Sequence, residues 1–187
     1  MPSDAVLAFD TSGPWCAAAV IVGGATRAFR HLDMARGQAE ALMPLLDTVL
    51  ADAGLGWSDF AAIGVGVGPG NFTGIRISVA TARGLSLALG VPAIGVDRFA
   101  ALALDGPCLP VAVPALRGEH WLRHPDGTVE TVATLPEAIV QGAHPLPVAI
   151  GLIADTLKAS PQPRPAPLYL RDADAAPPSS PPPALIG

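Results

Sequence analysis

Along the first hundred residues the apolar positions change period twice, and these changes divide the chain into elements. Residues 6–10, 16–22 and 26–31 are short runs that read as strands, separated by Gly13-Pro14 and Gly23-Gly24. Runs of this kind, broken by turn residues, predict an antiparallel meander. From residue 38 the spacing becomes helical. Ala39, Leu42, Met43, Leu46, Val49, Leu50 and Ala53 recur at i, i+3, i+4 and i+7, which predicts an amphipathic helix over 38–53 that stops at Gly54. Pro44 falls inside it, removes the bond to the Glu40 carbonyl, and is expected to kink the helix at a cost of roughly 3 kcal/mol. Next comes a strand beginning near Ile63, a turn carrying Gly66, Gly68 and Gly70, a helix over 73–89, and a further strand ending at Val96.

Beyond Val96 the pattern is less regular. Residues 109–113, 119–123 and 128–132 read as short strands, with Pro125-Asp-Gly127 turning the chain between the last two. Residues 135–141 and 151–159 read as helices around a strand at 146–150. This organisation predicts an N-terminal lobe over 1–104, a reduced second lobe over 105–159 and a tail over 160–187. Nine of the last twenty-eight residues are proline, so the tail should run as extended polyproline or loose coil. It reads either as a disordered appendage or as a segment that docks through Tyr169 and its neighbours.

Composition narrows the function classes. Half of the 187 residues are apolar and 14% are charged, enough to bury a core in one compact domain or two small lobes. The longest apolar or small run, 16–25, is about half of what crossing a bilayer takes, and Asp4 stands where a secretory leader would be basic. The expectation is a cytoplasmic protein. Cys16 and Cys108 have neither a metal spacing nor a disulfide framework. The net charge is −5, with one lysine, Lys158, and ten scattered arginines. Since affinity for nucleic acid comes mainly from neutralising phosphates, such a chain should not grip a nucleic acid by itself.

Several residues could carry chemistry. The glycine turn lets the backbone bend where a β-carbon would forbid it, and a helix opens directly after it with free N–H groups. Gly68 and Gly70 are therefore candidates for anion or nucleotide binding. So are Asp10, Thr11 and Ser12, where a strand ends and a carboxylate and two hydroxyls precede Gly13. The alternative is that Asp10 and Thr11 only close the turn onto nearby backbone groups. His120 and His124 have the H-x-x-x-H spacing, but on a strand residues four apart are separated by about 13 Å, too far to share one ion. No metal site is expected there. Ser12, Ser58, Ser78 and Ser86 lack a nucleophile-elbow pattern, and no hydrolytic triad emerges. On the helix over 73–89, Ala80, Gly84 and Ala88 recur every fourth residue beside Ser78, Thr81 and Ala82. Small faces let helices approach closely, and this one offers more such surface than a single sheet contact uses. The favoured reading is a second partner.

Gly68-Pro-Gly-Asn-Phe-Thr-Gly-Ile-Arg76 resembles the G-P-G-S-F-T-G-[VI]-R signature of the TsaB (YeaZ) family. Leu7-Ala-Phe-Asp-Thr-Ser12 is similar to that family's opening strand, Gln38-Ala-Glu-Ala-Leu-Met-Pro-Leu-Leu46 to its first helix, Gly90-Val-Pro-Ala-Ile-Gly-Val96 to its G-[IV]-P-L-x-G-V, and Pro167-Leu-Tyr-Leu-Arg171 to its terminus. Pro114-Ala-Leu-Arg-Gly-Glu-His-Trp121 departs from the family's strand by a proline in place of aspartate. The resemblance covers mainly the first half, and the region after residue 121 is shorter than the family pattern.

What the resemblance implies is specific. The fold class is α/β, ribonuclease-H-like, of the acetate and sugar kinase, Hsc70 and actin-like ATPase superfamily, with a complete N-terminal lobe and a reduced C-terminal one. Three antiparallel strands followed by helix, strand, helix and strand agree with that unit. The implied role is a non-catalytic scaffold and activator subunit of the bacterial complex that makes threonylcarbamoyladenosine in tRNA. Its partners would be the catalytic metal-binding paralogue TsaD and the ATPase subunit TsaE, with a homodimer when alone, and with no cofactor of its own. The implied contact uses both helices, through Leu42, Leu46, Phe72, Arg76, Ala80, Arg83 and Gly84. By resemblance the paralogue carries its H-x-x-x-H on the helix equivalent to 38–53, and that helix here has no histidine. The competing reading is an independent kinase-superfamily enzyme or a metal-dependent, protease-like protein.

Overall fold

A computed structural model describes residues 4–170. Its centre is a five-stranded sheet in which β1 (Ala5–Asp10) has every residue buried, because it is covered on both faces. β2 (Trp15–Val22) pairs antiparallel with β1, and β3 (Ala25–Asp33) antiparallel with β2, giving the expected meander. On the other side, β4 (Phe60–Gly66) runs parallel to β1, and β5 (Ala93–Val96) parallel to β4. The strand order is therefore β3-β2-β1-β4-β5.

Two helices cover one face. α1 (Gln38–Ala53) is the helix its periodicity predicts, and it continues through the exposed Pro44. It ends at Gly54 in the left-handed conformation, whose N–H closes onto Leu50 and Ala51. α2 (Phe72–Leu89) starts at Asn71, whose side chain accepts a bond from the Gly74 N–H, and ends at left-handed Gly90. Leu7, Phe9, Val20, Leu46, Val49, Ile63, Val65, Ile75 and Val79 fill the layer beneath them.

The opposite face is closed by a helix from much later in the chain. α4 (Leu146–Leu157) packs Val148, Ala149, Ile150 and Ala154 onto Val6, Ala8, Ala19, Ile21 and Ala62. This corrects the expected strand at 146–150, which is the first turn of that helix. A continuous apolar run reads alike for a buried strand and for a helix buried all round. The expected helix at 135–141 does not form either. Ile139 instead bridges to Val111, its N–H donating to the Pro110 carbonyl at 2.7 Å and its own carbonyl accepting from Ala112 at 2.9 Å. Long-range ladder bonds have outweighed local helical preference.

A smaller sheet holds β6 (Val111–Pro114), β7 (His120–Arg123) and β8 (Val129–Val132), all antiparallel. It joins the larger sheet through α3 (Arg98–Ala103), a short helix absent from the sequence reading. Its start was legible, because the Asp97 side chain caps it by accepting from the Ala100 N–H at 2.8 Å. Asp97 also pairs with Arg123 of β7 at 2.9 Å, and the Arg123 guanidinium lies 4.9 Å from the centre of the Phe99 ring. Residues 161–170 run as a strap without regular structure, and the part of the tail from 171 on, with Arg171, lies outside the described residues.

Candidate functional site

The first candidate region lies where β1, β4 and β5 end, the place where open α/β sheets commonly bind ligands. Asp10 is 1% exposed, and its Oδ1 accepts three bonds: from the Ser12 N–H at 3.0 Å, the Ser12 hydroxyl at 2.9 Å and the Trp15 indole N–H at 2.8 Å. The Thr11 hydroxyl donates to the Gly74 carbonyl at 2.6 Å, and the Asn71 N–H to the Ser12 carbonyl at 2.6 Å. The 10–12 loop and the glycine turn are thus bonded directly to each other. A β-carbon at Gly70 would run into the Ser12 carbonyl, one at Gly74 into the Thr11 carbonyl, and one at Gly66 into the Asp10 carboxylate. Gly68 has φ 95°, a left-handed angle only glycine holds without strain, and its pro-side-chain direction is blocked by Ile75 Cδ1 at 2.6 Å.

The structure therefore brings Asp10, Thr11, Ser12, Gly68 and Gly70 together, but as a closed joint. The helix-opening N–H of Gly74 is taken by the Asn71 carboxamide oxygen at 2.8 Å, so the cap competes with any anion. Sequence reasoning missed the other charged member of this rim. Arg98 stacks 5.1 Å from the Trp15 ring centre, and its Nε is buried without a hydrogen-bond partner. Burial pushes its pKa down while the Asp10 carboxylate pulls the other way. Position alone, one residue past an Asp cap, was the only hint.

His120 and His124 bracket the strand β7, as expected, and His124 Nε2 lies 2.7 Å from Glu130. Among the described residues no group of three His, Cys, Asp or Glu side chains is arranged to hold a metal ion.

The second region is the outer surface of α1 and α2. Here two expected contact residues move inward: Leu42 is 1% and Leu46 0% exposed, both in the core beneath α1. A side chain already covered by its own sheet has nothing left to offer a partner. The outward face of α1 presents Ala39, Met43, Pro44 and Asp47 instead. On α2 the expected contact residues lie at the surface. Phe72, Arg76, Ala80, Arg83 and Gly84 are all exposed and share one side of the helix with Ala88 and the 87% exposed Leu87, along rows of residues three or four apart. A β-carbon at Gly84 would meet nothing within 4 Å. This small stripe is not used against the sheet.

The strap flanks that stripe. Arg76 donates from Nε to the Tyr169 hydroxyl at 2.9 Å, and its guanidinium carbon sits 3.8 Å from the Phe72 ring centre. Phe72 and Tyr169 lie 4.8 Å apart. Arg83 donates from Nε to the Pro165 carbonyl at 2.8 Å, and the Leu168 N–H to the Val67 carbonyl at 2.8 Å. Sequence reasoning reached Tyr169 as a docking residue but not its partners, which lie more than ninety residues away for Arg76.

A central sheet with an antiparallel half and a parallel half, layered by helices on both faces, defines a mixed-sheet α/β fold. Within that class, a family model described as TsaD, tRNA N6-adenosine threonylcarbamoyltransferase, matches residues 33–124. The tRNA threonylcarbamoyladenosine biosynthesis protein TsaB of Haemophilus influenzae is 34% identical over 98 residues, 52% of this chain and 41% of that protein. The chain thus spans less than half the length of this relative. An uncharacterised protein of Mycobacterium tuberculosis is 34% identical over 92% of this chain and 94% of its own length. In three dimensions YeaZ from Pseudomonas aeruginosa superposes with a TM-score of 0.73 at 23% identity, covering 89% of this chain and 99% of the other. The chain belongs to the TsaB (YeaZ) family. No helix among the described residues is long and apolar enough to cross a membrane.

Proposed function

We propose that this protein is a non-catalytic scaffold and activator subunit in the synthesis of threonylcarbamoyladenosine in tRNA, docking through the outer faces of α1 and α2. The observation that carries the reading is the α2 stripe. Ala80, Gly84 and Ala88 are exposed, Gly84 faces open space, and Leu87 next to them is 87% exposed. Exposed small and apolar side chains on one helix face suit close approach by another helix. The partner is a paralogue of the TsaD kind, since the TsaD model matches the segment of this chain that contains both helices. A copy of this chain occupies the same face when the paralogue is absent, and the ATPase subunit TsaE completes the assembly in the cytoplasm.

Two further observations support a scaffold over an independent enzyme. The phosphate-loop candidates Asp10, Thr11 and Ser12 spend their polar atoms on one another, on Trp15 and on α2. The net charge of −5 leaves tRNA to be held by another subunit. Docking then contributes by binding the active arrangement of the paralogue more tightly than the inactive one.

The test is reconstitution of tRNA modification from purified subunits with and without this chain. Modification should require it, and an unchanged rate in its absence overturns the proposal. Stoichiometric bound metal, or ATP turnover by the chain alone, would favour the enzyme reading instead.

A further inference from the structure

The strap reaches Arg76 and Arg83 of the docking face and leaves the neighbouring stripe of Ala80, Gly84 and Ala88 exposed. Pro165 is buried and takes the Arg83 Nε bond on its carbonyl; Leu168 packs on the core under α2 and bonds to Val67 at the end of β4; Tyr169 takes the Arg76 Nε bond and stacks on Phe72. In each arginine only Nε is engaged by the strap, which leaves the terminal guanidinium nitrogens of Arg76 and Arg83 to face a partner. A guanidinium stacked on aromatic rings and anchored at Nε has lost most of its rotamer freedom before any partner arrives. Meanwhile Gly84 remains open, and Ala80 and Ala88 stay exposed. The strap thus shapes the edges of the face and does not cover it.

We propose that the strap Pro165–Tyr169 is a working part of the docking surface: it pre-sets Arg76 and Arg83 and forms its rim, so that strap attachment and partner docking strengthen each other. The inference rests on the docking role proposed above. The occupant is the TsaD-type paralogue, and the surface it must offer to these arginines is one bearing carboxylates, the group whose geometry a free guanidinium fork matches. Since coupling between two binding events is reciprocal, whatever factor the attached strap adds to docking, docking must add to strap attachment.

Two measurements on the full chain test this. In titration calorimetry against the purified paralogue, Tyr169→Ala should weaken binding about fivefold to tenfold, the lower end of ordinary coupling between sites. Tyr169→Phe keeps the ring and should lose less. In the unaltered chain, exchange of the Leu168 amide hydrogen, which reports strap detachment, should slow by a factor of the same size on saturation with the paralogue. That second readout needs no variant to fold. Unchanged affinity of Tyr169→Ala together with unchanged Leu168 exchange overturns the inference, and faster exchange in the complex overturns it by making the strap a competitor. If Gly84→Leu abolishes docking while these strap readouts do not move, only the strap inference fails. If the unaltered chain does not bind the paralogue, the docking role fails and this inference with it.

Discussion

Gly84 on the outer side of α2 and Gly151 on the inner side of α4 belong to helices that cover opposite faces of one sheet, and their surroundings are opposite. A β-carbon at Gly151 would lie 2.5 Å from Ile21 Cγ1 and 3.1 Å from the Ala8 β-carbon, so the residue is small because the sheet is there. A β-carbon at Gly84 would meet nothing within 4 Å. No described residue comes close enough to that point to demand glycine, and in a helix interior it is less favourable than most residues by up to about 1 kcal/mol. The docking role proposed above supplies a reason for a small residue on that exposed face.

The sharpest break of the comparison is the same substitution at both sites. Gly151→Leu should destabilise the fold by at least about 1–3 kcal/mol through overpacking, seen as a lowered Tm and denaturant midpoint. Gly84→Leu should leave the fold intact or raise its stability by up to about 1 kcal/mol, roughly 2–4 °C in Tm for a domain of this size, while abolishing copurification with the paralogue. A Gly84→Leu protein that copurifies at the unaltered yield would remove the distinction between the two faces. A smaller effect sharpens where the inner side of α2 begins: Asn71→Ala removes the bond to the Gly74 N–H and should lower stability by about 1 kcal/mol in a denaturant titration.

The last effect appears only in alkaline solution. Burial first, and the nearby Asp10 charge second, push the Cys16 thiol from 9.0 up to about 11. Because the folded state holds this proton more tightly than the unfolded chain, its contribution is complete below pH 9 and is lost as pH rises towards 11. Cys16 should also resist thiol reagents at pH 8 in the native protein, whereas the exposed Cys108 reacts, and one equivalent of label per chain is the expected result. Two equivalents without denaturant would show that the inner layer opens.

Elements whose period is carried by neighbouring residues were legible from the chain itself. The meander, α1 with both of its ends, the glycine turn and α2 follow from spacing and capping within stretches of at most about twenty residues, since helices and hairpins are local structures. The bond of Asp10 to the nearby Ser12 N–H is the local turn closure that was one of two readings, whereas the bond of Thr11 to the distant Gly74 carbonyl was not read from the chain. The tertiary structure alone decided which leucines of α1 face inward, because amphipathic spacing marks a stripe but not where the sheet's coverage ends, and Leu42 and Leu46 fall within it. It also turned 146–150 into helix and drew Ile139 into a bridge. Likewise it laid Tyr169 on Phe72 and Arg76. Each of these depends on atoms that are distant in sequence, and a run of apolar or proline residues has no period of its own to say what it will meet.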